Sequence, residues 1–173
     1  YNQCMIDKSA INIVQDVDKA LTVLRDAGTW LETSGKHPNK WWQPQNMNRD
    51  FMLKQAEPNE FYIALVDNAP AACVILQDTQ RNQDWEYIDK GEDVRALYIH
   101  WLCVARKFAG QDLPKVMIAF AAEFAKKNKL SLLRVDTNAK EKKLMEMYER
   151  LGFRLMGIEK EDYRDAAFFQ KGV

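Results

Sequence analysis

One stretch of the sequence constrains the fold more than any other, because it joins a strand, a glycine-containing loop and a helix in immediate succession. The apolar run "ALYIHWLCVA" (96–105) predicts a buried strand, and "RKFAGQDLPK" (106–115) predicts a loop. The next segment, "KVMIAFAAEFAKK", predicts a helix. The first N–H groups of a helix lack partners and carry partial positive charge, so this arrangement can hold a phosphate. The apolar stripe of the helix consists of Leu113, Met117, Phe120, Ala121 and Phe124.

Further strands and helices are predicted on both sides of this segment. Upstream, leucines at helical spacing predict a helix from Asp16 to Leu31, and two β-rich runs around "DNAP" predict a hairpin. Downstream, "LSLLRV" predicts a strand, and an apolar stripe before Gly152 predicts a helix with a C-terminal glycine cap. "FRLMGI" and "YRDAAFFQ" predict two closing strands. We therefore predict a single domain, residues 1–173, of the α/β (α+β) class, with a mixed sheet of six to seven strands and helices on both faces.

Charge and cysteine usage argue against several classes of function. Lys+Arg and Asp+Glu both number 25, whereas nucleic-acid-binding proteins carry a basic excess. Cys4, Cys73 and Cys103 show no metal-ligand spacing, so we predict no metal site and a reducing, cytoplasmic setting. No apolar run approaches the roughly 20 residues that span a membrane. Residues 103–129 hold a local basic excess, which favours an acidic ligand there.

The segment from Tyr98 to Phe153 resembles the GNAT family of acyl-CoA-dependent N-acetyltransferases. The motifs occur in the family's order: "WLCV", then Gly110 six residues after Val104, then "RVDT", then "YERLGF". The resemblance implies that two central strands splay apart and admit acetyl-CoA, with pantetheine on the strand backbone and pyrophosphate on the loop and helix start. The cofactor residues that it implies are Leu102, Cys103, Val104, Ala109, Gly110, Gln111, Asp112, Leu113, Pro114 and Lys115.

The loop departs from the family's Arg-Gly-x-Gly-x-Gly/Ala pattern and is degenerate as a pyrophosphate loop. Ala109 stands at the arginine position, and Asp112 and Pro114 stand at the second and third glycines. Asp112 is expected to be an N-cap, whose carboxylate would take the N–H groups that a pyrophosphate needs and would also repel the anion. Pro114 removes one N–H group. Basic side chains nearby act in the opposite sense: Arg106, Lys107 and Lys115.

Two residues are candidates for catalysis. Tyr148 matches the tyrosine that serves the leaving thiolate in the family. His100 matches the second histidine of the His-x-His-x-Leu-Ala-Val strand of some arylalkylamine acetyltransferases and is a candidate base, with Glu92 or Asp93 as alternatives. Strand alternation predicts one shared face for Tyr98, His100, Leu102 and Val104.

Aromatic residues are the candidates for substrate contact. Trp41 and Trp42 lie where the family's substrate loop falls, and Trp85 and Tyr98 lie before and within the long strand. Such rings can stack on a cation, or they can simply cover the edge of the core. We predict acetyl transfer from acetyl-CoA to the primary amine of a small molecule, by a monomer or homodimer. The alternative is a catalytically inactive GNAT-fold binding or regulatory module with weakened CoA binding.

Overall fold

The computed structural model describes residues 10–35, 41–80 and 84–173, which form two compact units. Of the described residues, those up to Ile75 and Trp101–Met117 form the first unit, and those within Leu76–His100 and Ile118–Val173 form the second. The prediction of a single domain therefore stays a prediction. In chain order the strands and α-helices are β1 (Ile11–Gln15), α1 (Val17–Thr33), α2 (Arg49–Met52), β2 (Phe61–Val66), β3 (Ala69–Gln77), α3 (Glu86–Asp89), β4 (Leu97–Val104), α4 (Leu113–Lys127), β5 (Leu132–Asn138), α5 (Lys142–Arg150), β6 (Arg154–Lys160) and β7 (Asp165–Gly172).

The strands form one mixed sheet in the order β1-β2-β3-β4-β5-β7-β6, which confirms the predicted fold class. Four of the neighbouring pairs, β1/β2, β2/β3, β5/β7 and β6/β7, are antiparallel, whereas β4 and β5 run parallel. The β4–β5 ladder is short and joins Leu97 to Leu133 and Tyr98 to Arg134. Such a short ladder is consistent with β4 and β5 diverging beyond these two pairs.

The core of the first unit lies between α1 and the β2–β3 hairpin. The carboxylate of Asp16 caps α1 by accepting the N–H of Lys19 at 2.9 Å. Every residue of β2 is buried, so both faces of this strand are covered. The buried side chains of α1 and the hairpin that share one cluster include Ala20, Leu21, Leu24, Phe61, Ile63, Leu65, Cys73 and Ile75.

A buried ion pair connects α3 with β5 in the second unit. The guanidinium of Arg134 donates to both carboxylate oxygens of Asp89, at 2.7 and 2.8 Å. Arg134 also lies over the Trp85 ring, 4.3 Å from its centroid, and its Nε donates to Gln170. Because both charges are buried and bonded, the pair fixes α3 on β5.

The last helix ends as its sequence predicts. Gly152 has a φ of 87°, a left-handed conformation that glycine adopts without steric cost. The N–H of Phe153 donates to the carbonyl of Tyr148 at 3.0 Å, and the N–H of Gly152 donates to the carbonyl of Glu149. The glycine cap of α5 is therefore confirmed.

None of the described helices is long and apolar enough to cross a membrane. Within the same residues, no group of three or more His, Cys, Asp or Glu side chains is placed to hold a metal ion.

Candidate active site

The end of β4 leads into a tight turn and then into the start of α4, and residues Trp101–Met117 of this segment belong to the first unit. The turn begins at Ala105, whose N–H donates to the carbonyl of Ala71 at 2.9 Å. Residues 106–108 form one 3₁₀ turn, closed by bonds from Phe108 N–H to Ala105 O and from Ala109 N–H to Arg106 O. The polypeptide therefore arrives at the start of α4 in a defined conformation.

Backbone N–H donors are free at the start of α4. In the part of the chain that the structure describes, four successive residues after Ala109 donate no backbone hydrogen bond, and Pro114 has no N–H. Intrahelical bonding begins with Lys115, whose N–H donates to the carbonyl of Asp112 at 3.0 Å. Since α4 is 15 residues long, these donors lie at the positive end of a substantial helix dipole. The four free donors belong to Gly110, Gln111, Asp112 and Leu113.

The expectation that Asp112 is a side-chain N-cap is wrong. Asp112 has a φ of 56° and Gly110 a φ of 81°, so Asp112 adopts the left-handed conformation that suits the glycine it replaces. An N-cap needs extended dihedrals, and the Lys115 N–H donates to the carbonyl oxygen of Asp112 instead of its carboxylate. Asp112 therefore leaves the donors open, although its exposed negative charge stays beside them.

Arg106, one of the basic residues near the loop, contacts α1. Its guanidinium lies 4.0 Å from the centroid of the Trp30 ring, and its N–H donates to Asp26 Oδ2. Both contacts attach Arg106 to α1. Lys115 is exposed in the first turn of α4, so it is the basic side chain that belongs to the helix start itself.

The strand that precedes the loop contains an irregularity that no sequence signal indicates. Trp101 has a φ of 55°, which is rare for a bulky residue and marks a break in the regular strand. Strict alternation therefore does not hold across Trp101, and the predicted shared face from Tyr98 to Val104 does not follow. Leu102, Cys103 and Val104 are all half-buried.

Cys103 lies against the core beside a second thiol. It packs on the cluster that contains Cys73. A hydrogen bond with Cys103, together with burial, raises the pKa of the Cys73 thiol, and both cysteines are free.

Two of the predicted substrate residues, Trp85 and Tyr98, are buried in the second unit, and their role in substrate binding stays a prediction. Trp85 is 1% exposed and packs edge-on against Phe168, with ring centroids 5.1 Å apart. Tyr98 is 3% exposed, and its hydroxyl accepts a hydrogen bond from Gln80 at 2.9 Å. Aromatic rings with this much apolar surface are more stable in the core of the second unit than in solvent.

The other two tryptophans lie in the first unit and are half-buried. The ring centroid of Trp41 is 6.1 Å from that of Phe51. The ring centroid of Trp42 is 4.8 Å from that of Trp101. The Trp42 side chain packs on the core cluster of the first unit. Their contacts fit a cover over the core edge, and their role in substrate binding stays a prediction.

Tyr148 combines a buried ring with an accessible hydroxyl. It is 4% exposed, and its ring packs against those of Phe153 and Phe169. Its hydroxyl forms no hydrogen bond with any described residue. Every fully buried side-chain nitrogen or oxygen among those residues does have a hydrogen-bond partner, so this hydroxyl is not fully buried. The accessible part of Tyr148 therefore includes its hydroxyl. Burial, and secondly the charge of Asp136, raise the pKa of this phenol, so it keeps its proton at neutral pH.

His100 is half-buried in β4, whereas the alternative bases Glu92 and Asp93 are exposed. The geometry does not single out one of them, so the identity of the base stays a prediction.

Sequence reasoning missed a group of charged residues in the second unit. Arg164 donates from Nε to Glu161 at 2.8 Å and from its terminal nitrogen to Asp136. Partial desolvation, followed by the charges of Asp136 and Glu161, raises the pKa of Asp84 to about 6. These residues come from distant segments of the chain, so no local motif could have indicated the group.

The chain belongs to the GNAT family of acetyltransferases, because the model of that family matches residues 24–153. An uncharacterized N-acetyltransferase of Bacillus subtilis strain 168, YesJ, is 24% identical over 165 residues, which cover 93% of this chain and 87% of YesJ. A GNAT acetyltransferase structure from Listeria monocytogenes 4b F2365 has a TM-score of 0.72 and 24% identity, over 94% of this chain and 95% of that one.

A further structural relative contains the cofactor. It is an acetyltransferase from Bacillus anthracis strain Ames in complex with acetyl coenzyme A, with a TM-score of 0.53 and 20% identity, covering 65% of this chain and 61% of that one. The similarity to these solved structures shows a shared fold. With the family match, they confirm the prediction of a GNAT acetyltransferase family that uses acetyl-CoA.

Proposed function

We propose that this protein transfers the acetyl group of acetyl-CoA to the primary amine of a small molecule. The observation that carries the proposal is the row of four free N–H groups at residues 110–113, at the start of α4. Backbone donors in this position suit a pyrophosphate without requiring several glycines, because Asp112 already adopts the glycine-like conformation. The exposed ammonium of Lys115 adds positive charge at the same place.

The strand before the loop is proposed to bind the pantetheine arm. Leu102, Cys103 and Val104 precede the loop directly and are only half-buried, so they leave room for an extended ligand along the strand. The backbone groups of such a strand can pair with the amides of the arm as a further strand would.

Tyr148 is proposed as the acid that protonates the departing thiolate. Acetyl-CoA supplies an already activated thioester, so the protein needs mainly to orient the amine and to handle protons. The raised pKa of Tyr148 keeps the phenol protonated, and its accessible hydroxyl can donate that proton. His100 is proposed to accept the proton that the amine loses.

The alternative, an inactive module with weakened CoA binding, rests on Ala109, Asp112 and Pro114. One of its supports is weakened, because the carboxylate of Asp112 does not occupy the N–H donors. The cytoplasmic location and the monomeric or homodimeric state remain predictions from the sequence.

Isothermal titration of acetyl-CoA tests the proposal first. We expect binding in the micromolar range at moderate salt, followed by release of free CoA thiol when primary amines are added. Tyr148→Phe should keep the acetyl-CoA affinity and lose about 10²-fold in kcat, since general acid catalysis contributes about 10²–10⁴-fold. Absence of binding at millimolar acetyl-CoA would instead favour the inactive module.

A further inference from the structure

The turn between β4 and α4 receives a hydrogen bond from a remote helix of the same unit. Residues 106–108 form a single 3₁₀ turn, and the N–H groups that begin a helical turn have no acceptor within it. Ala105, which precedes the turn, has no side-chain oxygen that could cap it. The carboxylate of Asp26, in α1, accepts the N–H of Arg106 at 2.5 Å. Asp26 therefore caps this turn across a separation of 80 residues.

The side chain of Arg106 makes a second contact with α1. Its guanidinium carbon lies 4.0 Å from the centroid of the Trp30 ring, which is a cation–π arrangement. Asp26 and Trp30 are four residues apart, so they project from the same face of α1. One face of the helix thus holds both the backbone and the side chain of Arg106, which fixes the position and the orientation of the turn.

α1 is suited to hold another segment because it is itself fixed in the first unit. Its apolar face is buried in the core cluster. On another side, Nε of Arg25 donates to the carbonyl of Met47 at 2.7 Å. A Cβ atom at Gly28 would lie 3.2 Å from the carbonyl oxygen of Trp42, so this stretch of α1 packs closely on the segment 42–47. Contacts from a rigid element define a position more precisely than contacts from another loop.

The conformation of the turn decides where the free donors of the loop lie. The N–H of Ala105 donates to the carbonyl of Ala71, and the N–H of Ala109 donates to the carbonyl of Arg106. The four free N–H groups of residues 110–113 follow directly. Among the described residues they donate no backbone hydrogen bond, so their positions depend on the turn before them and the helix after them.

We propose that Asp26, supported by Trp30, is a positioning residue for the pyrophosphate of acetyl-CoA. By capping the turn at Arg106 it places the N–H groups of residues 110–113 where the pyrophosphate binds, and it acts through the turn without touching the cofactor. A displacement of about 1 Å can cost about 10²-fold in a site that depends on exact placement. This inference rests on the proposed use of the loop by acetyl-CoA.

Two cofactor probes test this role. Acetyl-CoA contains the pyrophosphate, whereas S-acetylpantetheine contains the same thioester and arm without it. Acetyl-CoA is titrated directly into the full chain, and S-acetylpantetheine is measured by competition with it. Asp26→Ala removes the acceptor, and Asp26→Asn keeps an acceptor oxygen but removes the charge. Glu32→Ala is the matched control, because Glu32 is an exposed acid of the same helix.

We expect Asp26→Ala to bind acetyl-CoA about tenfold more weakly than the wild type and S-acetylpantetheine within about twofold, since a hydrogen bond to a charged acceptor contributes on this scale. Asp26→Asn should keep most of the wild-type preference, because its amide oxygen can accept the same N–H group. Glu32→Ala should match the wild type with both probes. A general loss of stability would weaken both probes together, so the ratio of the two affinities distinguishes positioning from a purely structural role.

Hydrogen exchange gives a second readout that needs no ligand. Asp26→Ala should speed amide exchange in peptides that span residues 104–109, whereas Glu32→Ala should not. Trp30→Leu should have a smaller effect than Asp26→Ala, because a cation–π contact at an exposed arginine is weak.

An unchanged ratio of affinities in Asp26→Ala would overturn the positioning role. So would a wild type that binds acetyl-CoA no more tightly than S-acetylpantetheine, because the loop would then make no pyrophosphate contact. Acetylation of primary amines, measured on the same samples, separates this failure from that of the proposed function. Acetyl transfer by the wild type with an unchanged ratio in Asp26→Ala would refute the positioning role alone. A lowered ratio in Asp26→Ala without acetyl transfer by the wild type would refute the proposed function and support the positioning role.

Discussion

Replacement of Asp112 separates two properties of the loop, its charge and its left-handed backbone. Asp112→Asn removes the charge and keeps a residue that tolerates a φ of 56°. Asp112→Gly removes the charge and the Cβ atom together. Asp112→Ala also removes the charge but keeps a Cβ atom in a conformation that alanine adopts only with strain.

The expected effect on cofactor binding follows from Coulomb's law. Asp112 is exposed and lies directly beside the four free donors, so its repulsion of a bound pyrophosphate acts mainly through water. Two unit charges about 4 Å apart interact by about 1 kcal/mol in water, which is about fivefold in affinity. All three variants should therefore bind acetyl-CoA about fivefold more tightly than the wild type.

The expected effect on stability is different for each variant. A left-handed L-residue costs about 1–2 kcal/mol, and aspartate and asparagine tolerate it best. Asp112→Ala should therefore lower the free energy of unfolding by about 1 kcal/mol, and Asp112→Asn should leave it nearly unchanged. Asp112→Gly should not lose stability, because relief of strain offsets the larger entropy of the unfolded glycine chain.

Isothermal titration of acetyl-CoA and urea denaturation measure the two effects. The gain in affinity should shrink at high salt, since exposed charges are screened. An unchanged acetyl-CoA affinity in both Asp112→Asn and Asp112→Gly would show that this charge does not face the ligand. A glycine variant less stable than the alanine variant would refute the left-handed conformation.

Three further predictions concern the second unit. Asp89→Asn leaves the buried Arg134 without its carboxylate and should cost about 3–5 kcal/mol of unfolding free energy in urea, unlike the exposed Asp78→Asn. Gly152→Ala should cost about 1 kcal/mol in the same assay, because φ is 87° there; no loss would contradict the cap. The Asp84 pKa is raised from 3.8 to about 6, so its protonated form is favoured in the folded state. The wild type should therefore lose stability as pH rises from about 4 to about 6, and Asp84→Asn should not show this loss; identical pH profiles of the melting temperature would refute it.

The parts of the fold that local sequence dictates were predictable. Gly152 as the end of α5 and the strand and helix periodicities depend on residues close in the chain, so spacing alone indicates them. The family motifs are of the same kind, because "RVDT" and "YERLGF" combine local geometry with fixed order.

Exposure and contact partners could not be predicted where distant segments meet. Trp85 and Tyr98 are polar-tipped aromatics that suit either a binding loop or a core, and only their packing against Phe168 and Gln80 decides in favour of the core. The Trp101 break in β4 has no local signal either, because glycine or proline would normally mark such a position.

By itself the sequence determined the class of fold, the order of its elements and the loop that precedes α4. Among the described residues, tertiary structure decided which groups are free to act, namely the open N–H donors beside Asp112 and the accessible hydroxyl of Tyr148. The physical reason is that helix, strand and cap formation depend on neighbours within a few residues. Burial, hydrogen-bond satisfaction and charge pairing instead depend on which remote residues the folded chain brings together.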